Sequence, residues 1–116
     1  MLLGFTMTAS ASGASPRLGE PSQYRGEWLV EAPGVPPCRF ALATSRVEAA
    51  NAFGFERPPR CLAALLGAEP AGWRPAPDGL DLASADGLSL AFFASGAEGF
   101  SARRADGTVL RLRRAG

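Results

Sequence analysis

The stretch that decides the fold is residues 78–114, DGLDLASADGLSLAFFASGAEGFSARRADGTVLRLRR. Asp78-Gly79, Asp86-Gly87 and Asp106-Gly107 are tight-turn dipeptides, because glycine accepts positive φ and aspartate bonds the backbone that follows it. Between the turns lie Leu80-Leu82, Leu88-Leu90-Phe92, Phe100-Ala102 and Leu110-Leu112, apolar at every second position, with residues 94–99 as the remaining turn. Period-two alternation broken by turns about every ten residues predicts an antiparallel meander. In this reading Asp81, between Leu80 and Leu82, faces solvent, and the three Asp-Gly aspartates make turns and do no acid–base work.

Upstream the pattern is less regular. Residues 24–31 (YRGEWLVE) read as a first strand with Trp28 and Val30 on one face, and residues 32–37 (APGVPP) end it, since proline cannot join a ladder. Residues 38–43 alternate, Cys38, Phe40 and Leu42 against Arg39 and Ala41. Residues 45–52 suit a helical turn or a return strand, residues 53–60 form a loop broken at Pro58-Pro59, and residues 61–66 (CLAALL) fit a strand or one short helix. Counting the upstream strands gives seven or eight, enough to close a small barrel and remove exposed edges. Such a barrel is filled by side chains, here Phe40, Phe92, Phe100 and the leucines.

Composition narrows the function. The 116 residues make one domain. The chain has no histidine and two cysteines, which removes His-based nucleophilic catalysis and any ordinary zinc site of its own. No constellation of carboxylates suggests an enzyme. All the basic residues are arginine, yet the net charge is +1, and Arg111 and Arg113 alternate with Leu110 and Leu112 as a solvent face does, so nucleic-acid binding is not expected. No apolar run is long enough to span a membrane.

Residues 1–14 (MLLGFTMTASASGA) look like the end of a secretory signal whose basic start is missing, with cleavage after Ala11 or Ala14; the alternative is an unstructured N-terminal tail. Residues 15–23 then form an extended arm containing Pro16 and Pro21, and residues 24–116 the barrel. Cys38 and Cys61 are either two buried thiols or a disulfide, and an even count in a small chain with an export-like start favours the bridge. Trp28 is a candidate plug for one end of the barrel, with Arg111 or Arg113 covering its face by a cation–π contact.

The order Gly26-x-Trp28, Cys38-x-Phe40-x-Leu42, Cys61-Leu62, Trp73-Arg74-Pro75, Asp78-Gly79-Leu80, Gly87-Leu88-x-Leu90 and Leu110-Arg111-Leu112-Arg113-Arg114 resembles the bacterial alkaline protease inhibitors over about residues 24–114. The resemblance implies an all-β protein, a small eight-stranded antiparallel up-and-down barrel of lipocalin-like plan with one disulfide, periplasmic or secreted and acting as a monomer without a cofactor. The implied partner is a secreted serralysin-type zinc metalloprotease. In that family the arm enters the protease cleft, a role that here falls on Ser15, Pro16, Arg17, Leu18 and Gly19. Family arms tend to be apolar and serine-rich, whereas this one carries Pro16, Arg17, Glu20 and Pro21. A second reading is a non-inhibitory envelope barrel that binds a small apolar ligand or an outer-membrane partner.

Overall fold

The computed structural model describes residues 18–97 and 99–115. The expected signal segment, and Ser15, Pro16 and Arg17 of the arm, lie outside the described residues. Eight antiparallel strands follow one another around a closed barrel: β1 Gly26–Glu31, β2 Cys38–Val47, β3 Ala52–Phe55, β4 Gly72–Ala76, β5 Gly79–Ala83, β6 Ser89–Gly96, β7 Gly99–Arg103 and β8 Val109–Arg114. Each strand pairs with the next, and β8 returns to β1, so the sheet has no free edge.

The interior is solid. Val30, Phe40, Leu42, Trp73, Leu80, Leu82, Phe93, Leu110 and Leu112 are all buried, the inward residues expected of period-two strands around a small barrel. Strand β2 is longer than its alternation suggests and runs on through Val47; a single 3-10 turn, Glu48–Ala50, leads into β3. Residues 53–55, expected within a loop, join Ala52 to form β3, in which Ala52 and Gly54 are buried. The β2–β3 register shifts between Leu42 and Arg46, and in that gap the Ala43 carbonyl accepts a hydrogen bond from Trp73 Nε1 at 2.8 Å. The irregularity thus hosts the indole of a fully buried tryptophan.

Residues 61–66 form a helix, and the reason is visible in its burial. Leu62 and Leu65, three apart, face the core, whereas a strand would have turned them to opposite faces. The left-handed Gly67 ends it. Cys61, at its first position, is joined to Cys38 at the start of β2 with a Cα–Cα distance of 5.6 Å. The bridge connects an exposed helix end to a buried strand residue.

Two expectations about β5 and β6 are corrected. Leu82 pairs with Ala91 but Ala83 pairs with Ser89, so β6 accommodates one extra residue, Leu90. This bulge re-phases the strand: Phe93 is the buried aromatic, Phe92 is 44% exposed, and Leu88 is exposed in the turn. Asp81 lies on the outer face, as the alternation requires, but it is largely shielded from solvent and only 7% exposed. Arg74, its partner across β4 and β5, donates from Nε to Asp81 Oδ2 at 3.1 Å, and Ser89 Oγ donates to Asp81 Oδ1. The remaining guanidinium nitrogens of Arg74 bond the carbonyls of Ala50, Asn51 and Gly87, drawing two loops over the pair.

Two stability predictions follow from these ties. Reducing the bridge, or replacing both cysteines with serine, lowers the unfolding free energy by about 3 kcal/mol, a loop of this length being freed in the unfolded chain; urea denaturation with and without reductant reads it. Arg74→Ala strands the Asp81 carboxylate beneath the loops and costs about 3 kcal/mol in the same measurement, whereas Arg104→Ala, in an exposed turn, stays within about 0.5 kcal/mol.

Candidate functional site at the arm-bearing mouth

The N-terminal segment enters at one end of the barrel, and its root is a structured element. Residues 20–23 read Glu-Pro-Ser-Gln, and Pro21–Tyr24 form a single helical turn. Pro21 stands at the first helical position, where its fixed φ suits a helix and its missing N–H is not needed. Gln23 Oε1 accepts from the Glu20 backbone N–H at 2.9 Å, and the Glu20 carbonyl accepts from Gln23 N–H at 3.0 Å. The arm expected to be extended as far as residue 23 is therefore folded at its base, and β1 starts at Gly26.

Tyr24 drops from this turn into the mouth. Its ring lies 5.8 Å from Trp73 and 6.4 Å from both Trp28 and Phe100, centroid to centroid, and Trp28 meets Phe100 edge-on at 5.9 Å. Trp28, 4% exposed, stands inside an aromatic lid of four residues. Gly19 lies directly on the Tyr24 phenol, so close that a Cβ there would overlap the ring. Leu18, one residue further out, is 65% exposed. A groove of about 630 Å³ separates residues 18–20 from the rim formed by Asp78, Gly79 and Ser95.

The cation over Trp28 is neither Arg111 nor Arg113. The guanidinium of Arg114 lies 4.5 Å from the Trp28 ring centroid. The closing ladder gives the reason: Val30 pairs with Leu112 and Trp28 with Arg114, so every second residue of β8 faces in and Arg114 takes the inward place beyond Leu112. Arg111 and Arg113 share the outer face. Arg113 makes two bonds to the Glu31 carboxylate, both at 3.1 Å, and Arg111 stands opposite Glu31 in the register. The alternation of Leu110 and Leu112 already pointed to Arg114, because the rule that sends Arg111 and Arg113 to solvent sends the next odd-one-out inward.

The opposite end carries a second, smaller groove of about 410 Å³ between the helix and β6–β8, lined by Leu65, Leu66, Leu90 and Ala102 with Arg103 and Arg104 at its edge. Among the described residues no cluster of acidic or sulfur side chains could hold a metal ion. No described helix is long and apolar enough to cross a membrane.

A closed eight-stranded barrel with a filled interior, one disulfide and an N-terminal segment held at its mouth defines a small barrel protein of lipocalin-like plan. The chain belongs to the protease inhibitor Inh family, whose sequence pattern matches residues 18–114. It is 32% identical over 111 residues to an alkaline proteinase inhibitor of Photorhabdus luminescens, covering 96% of this chain and 82% of that protein. It is 31% identical over 113 residues to a proteinase inhibitor of Dickeya chrysanthemi, covering 94% and 92%. The solved structure of a psychrophilic marine protease MP inhibitor superposes with a TM-score of 0.68 at 29% identity, over 82% of this chain and 98% of that one. The protein is thus a non-enzymatic protease inhibitor.

The ion pairs on the outer face yield a pH prediction. Hydrogen bonds from Arg113 hold the Glu31 carboxyl below its ordinary value of 4.5, with the charge of Arg113 adding to them. A depressed folded-state value contributes stability above the unfolded value and loses it as pH falls through the folded one. In an NMR carboxyl titration Glu31 therefore titrates below 4.5, and Arg113→Ala raises its midpoint. Because the pair is exposed, the thermal midpoint above pH 5 moves little.

Proposed function

We propose that this protein inhibits a secreted zinc metalloprotease of the serralysin type by inserting residues 15–19 into the protease's active-site cleft, and that it does so as a monomer in the periplasm or outside the cell. The observation that carries the reading is the built root of the arm: Gly19 rests on Tyr24 while Leu18 stands 65% exposed beyond it. A segment so held presents its outer residues at low ordering cost. The relatives named as alkaline proteinase inhibitors support the choice of target, as does the resemblance of the Trp-Cys-Cys-Trp framework.

The chemistry required is simple. A metalloprotease keeps an open metal position for the water it activates. A neutral amine or a carbonyl at the tip of the arm would take that position in place of the water. Residues behind the tip add backbone hydrogen bonds as a substrate strand does. The metal ion in this mechanism is the protease's own. The packed interior, with Trp73, Phe40 and Phe93 fully buried, weighs against the envelope barrel with an apolar ligand at its centre.

The test compares the chain beginning at Ser15 with one lacking residues 15–19, both assayed against a serralysin-type protease. Inhibition falls at least about a hundredfold on removal of the arm, a loss of about 2.7 kcal/mol of binding. Equal inhibition by both chains, or by neither, overturns the reading.

A further inference from the structure

We propose that Arg114 is a positioning residue for inhibition: it fixes the direction in which the N-terminal arm leaves the barrel. The proposal rests on the arm reading above. Its basis is the way the chain is held between the helical turn and β1. Gln23, Tyr24 and Arg25 are three consecutive residues, and the carbonyl of each accepts a hydrogen bond from a barrel side chain. Trp28 Nε1 donates to the Tyr24 carbonyl at 2.7 Å. Arg114 donates from Nη1 to the Arg25 carbonyl at 2.6 Å and from Nη2 to the Gln23 carbonyl. The two nitrogens of one planar guanidinium thus bracket Tyr24, while its face covers the Trp28 ring that holds the carbonyl between them.

Gly26 shows that the site is shaped for this arginine. Its φ is +116°, a conformation that side-chain-bearing residues rarely adopt, and a Cβ there would stand 3.2 Å from Arg114 Nη1. The Gly-x-Trp pattern therefore makes room for Arg114 as well as placing the indole. Tyr24, fixed from both sides, in turn carries Gly19 on its phenol ring. The line of support runs from Arg114 through the Gln23 and Arg25 carbonyls to Tyr24, and from Tyr24 to the last residue of the inserted segment.

Arg114 could instead only seal the barrel end, and the two roles differ in what they change. A sealing residue affects the folded fraction. A positioning residue changes affinity at full folded fraction, because an unfixed root must be ordered when the arm docks. The experiment uses the chain from Ser15 with Arg114→Ala, Arg114→Lys and Gly26→Ala, each assayed against a serralysin-type protease after titration of its active fraction. Arg114→Ala weakens the inhibition constant about tenfold to a hundredfold at unchanged active fraction, and by less than about twofold in a chain lacking residues 15–19. Arg114→Lys, which keeps the cation over Trp28 but has no fork to bracket two carbonyls, falls between wild type and alanine, and Gly26→Ala follows Arg114→Ala.

A second readout needs no protease. Spin labels at Leu18→Cys and Val35→Cys, with the native disulfide left oxidised, report the arm's direction, and Arg114→Ala broadens their distance distribution. An unchanged inhibition constant, a loss confined to the active fraction, or an unchanged distribution overturns the proposal. Equal inhibition by the full and arm-deleted chains overturns the arm reading, and the inhibitory role of Arg114 with it. A strong arm effect beside an unmoved Arg114→Ala constant overturns the Arg114 proposal alone.

Discussion

The ladder between β8 and β1 joins the two ends of the sheet, and its register decides what stands at the mouth of the barrel. Trp28 faces Arg114 and Val30 faces Leu112. A slip of one residue would turn Leu110 and Leu112 to solvent and draw Arg111 and Arg113 inward, exposing two leucines and burying two charges. Leu110 and Leu112 are each only 1% exposed, so the register is over-determined by apolar burial alone. Arg114 inherits its place from those leucines. The polar arrangement at the mouth needs no further specification: a cation arrives over the indole, with its donors aimed at the chain that crosses in front of it.

The two ends of the barrel are closed by different physics. At one end the helix and the Cys38–Cys61 bridge tie the irregular middle of the chain to β2. At the other, the segment that crosses the opening makes no ladder, and side chains from β1 and β8 satisfy its carbonyls instead. Indole and guanidinium supply donors to these carbonyls where no strand can. The solid interior between the ends gives the mouth a fixed frame. A projecting segment on a fixed frame loses less freedom on binding than one on a yielding support.

The parts of this fold that were readable in the sequence are those governed by short-range rules. The Asp86-Gly87 and Asp106-Gly107 turns have Asp86 Oδ1 and Asp106 Oδ1 accepting from the N–H groups of Leu88 and Thr108, local bonds that need no tertiary partner. Cys38, Phe40 and Leu42 alternate inward as written. The misreadings involve partners distant in sequence. The bulge at Leu90 arises from the pairing of β5 with β6, and nothing in LSLAFF marks where the phase changes. Asp81 is buried because Arg74 and the loops at Ala50 and Gly87 cover it. Strand β3 has four residues, with a buried glycine among them, too few for periodicity to speak. The helical turn at Pro21 was legible in principle, since proline at the first helical position with glutamine two residues on is a start signal. The two prolines, the glycine and the absence of periodicity over residues 15–22 point instead to extended chain.

That turn also changes the meaning of the arm's unusual composition. Among the residues by which the arm departs from an apolar, serine-rich pattern, Glu20 and Pro21 belong to the capped turn: the Glu20 backbone bonds Gln23 in both directions, and Pro21 sets the first helical φ. Their chemistry serves the root. Proline there costs no docking hydrogen bond, because the first N–H of a helical turn has no intrahelical partner to lose. The departures left in the segment proposed to enter the protease are Pro16 and Arg17. Proline confines φ and removes a donor, and arginine brings a fixed positive charge with five N–H groups. If the arm docks as a substrate strand does, selectivity among proteases rests on these two positions, and the charge of Arg17 calls for an acidic or carbonyl-rich lining in the cleft that receives it.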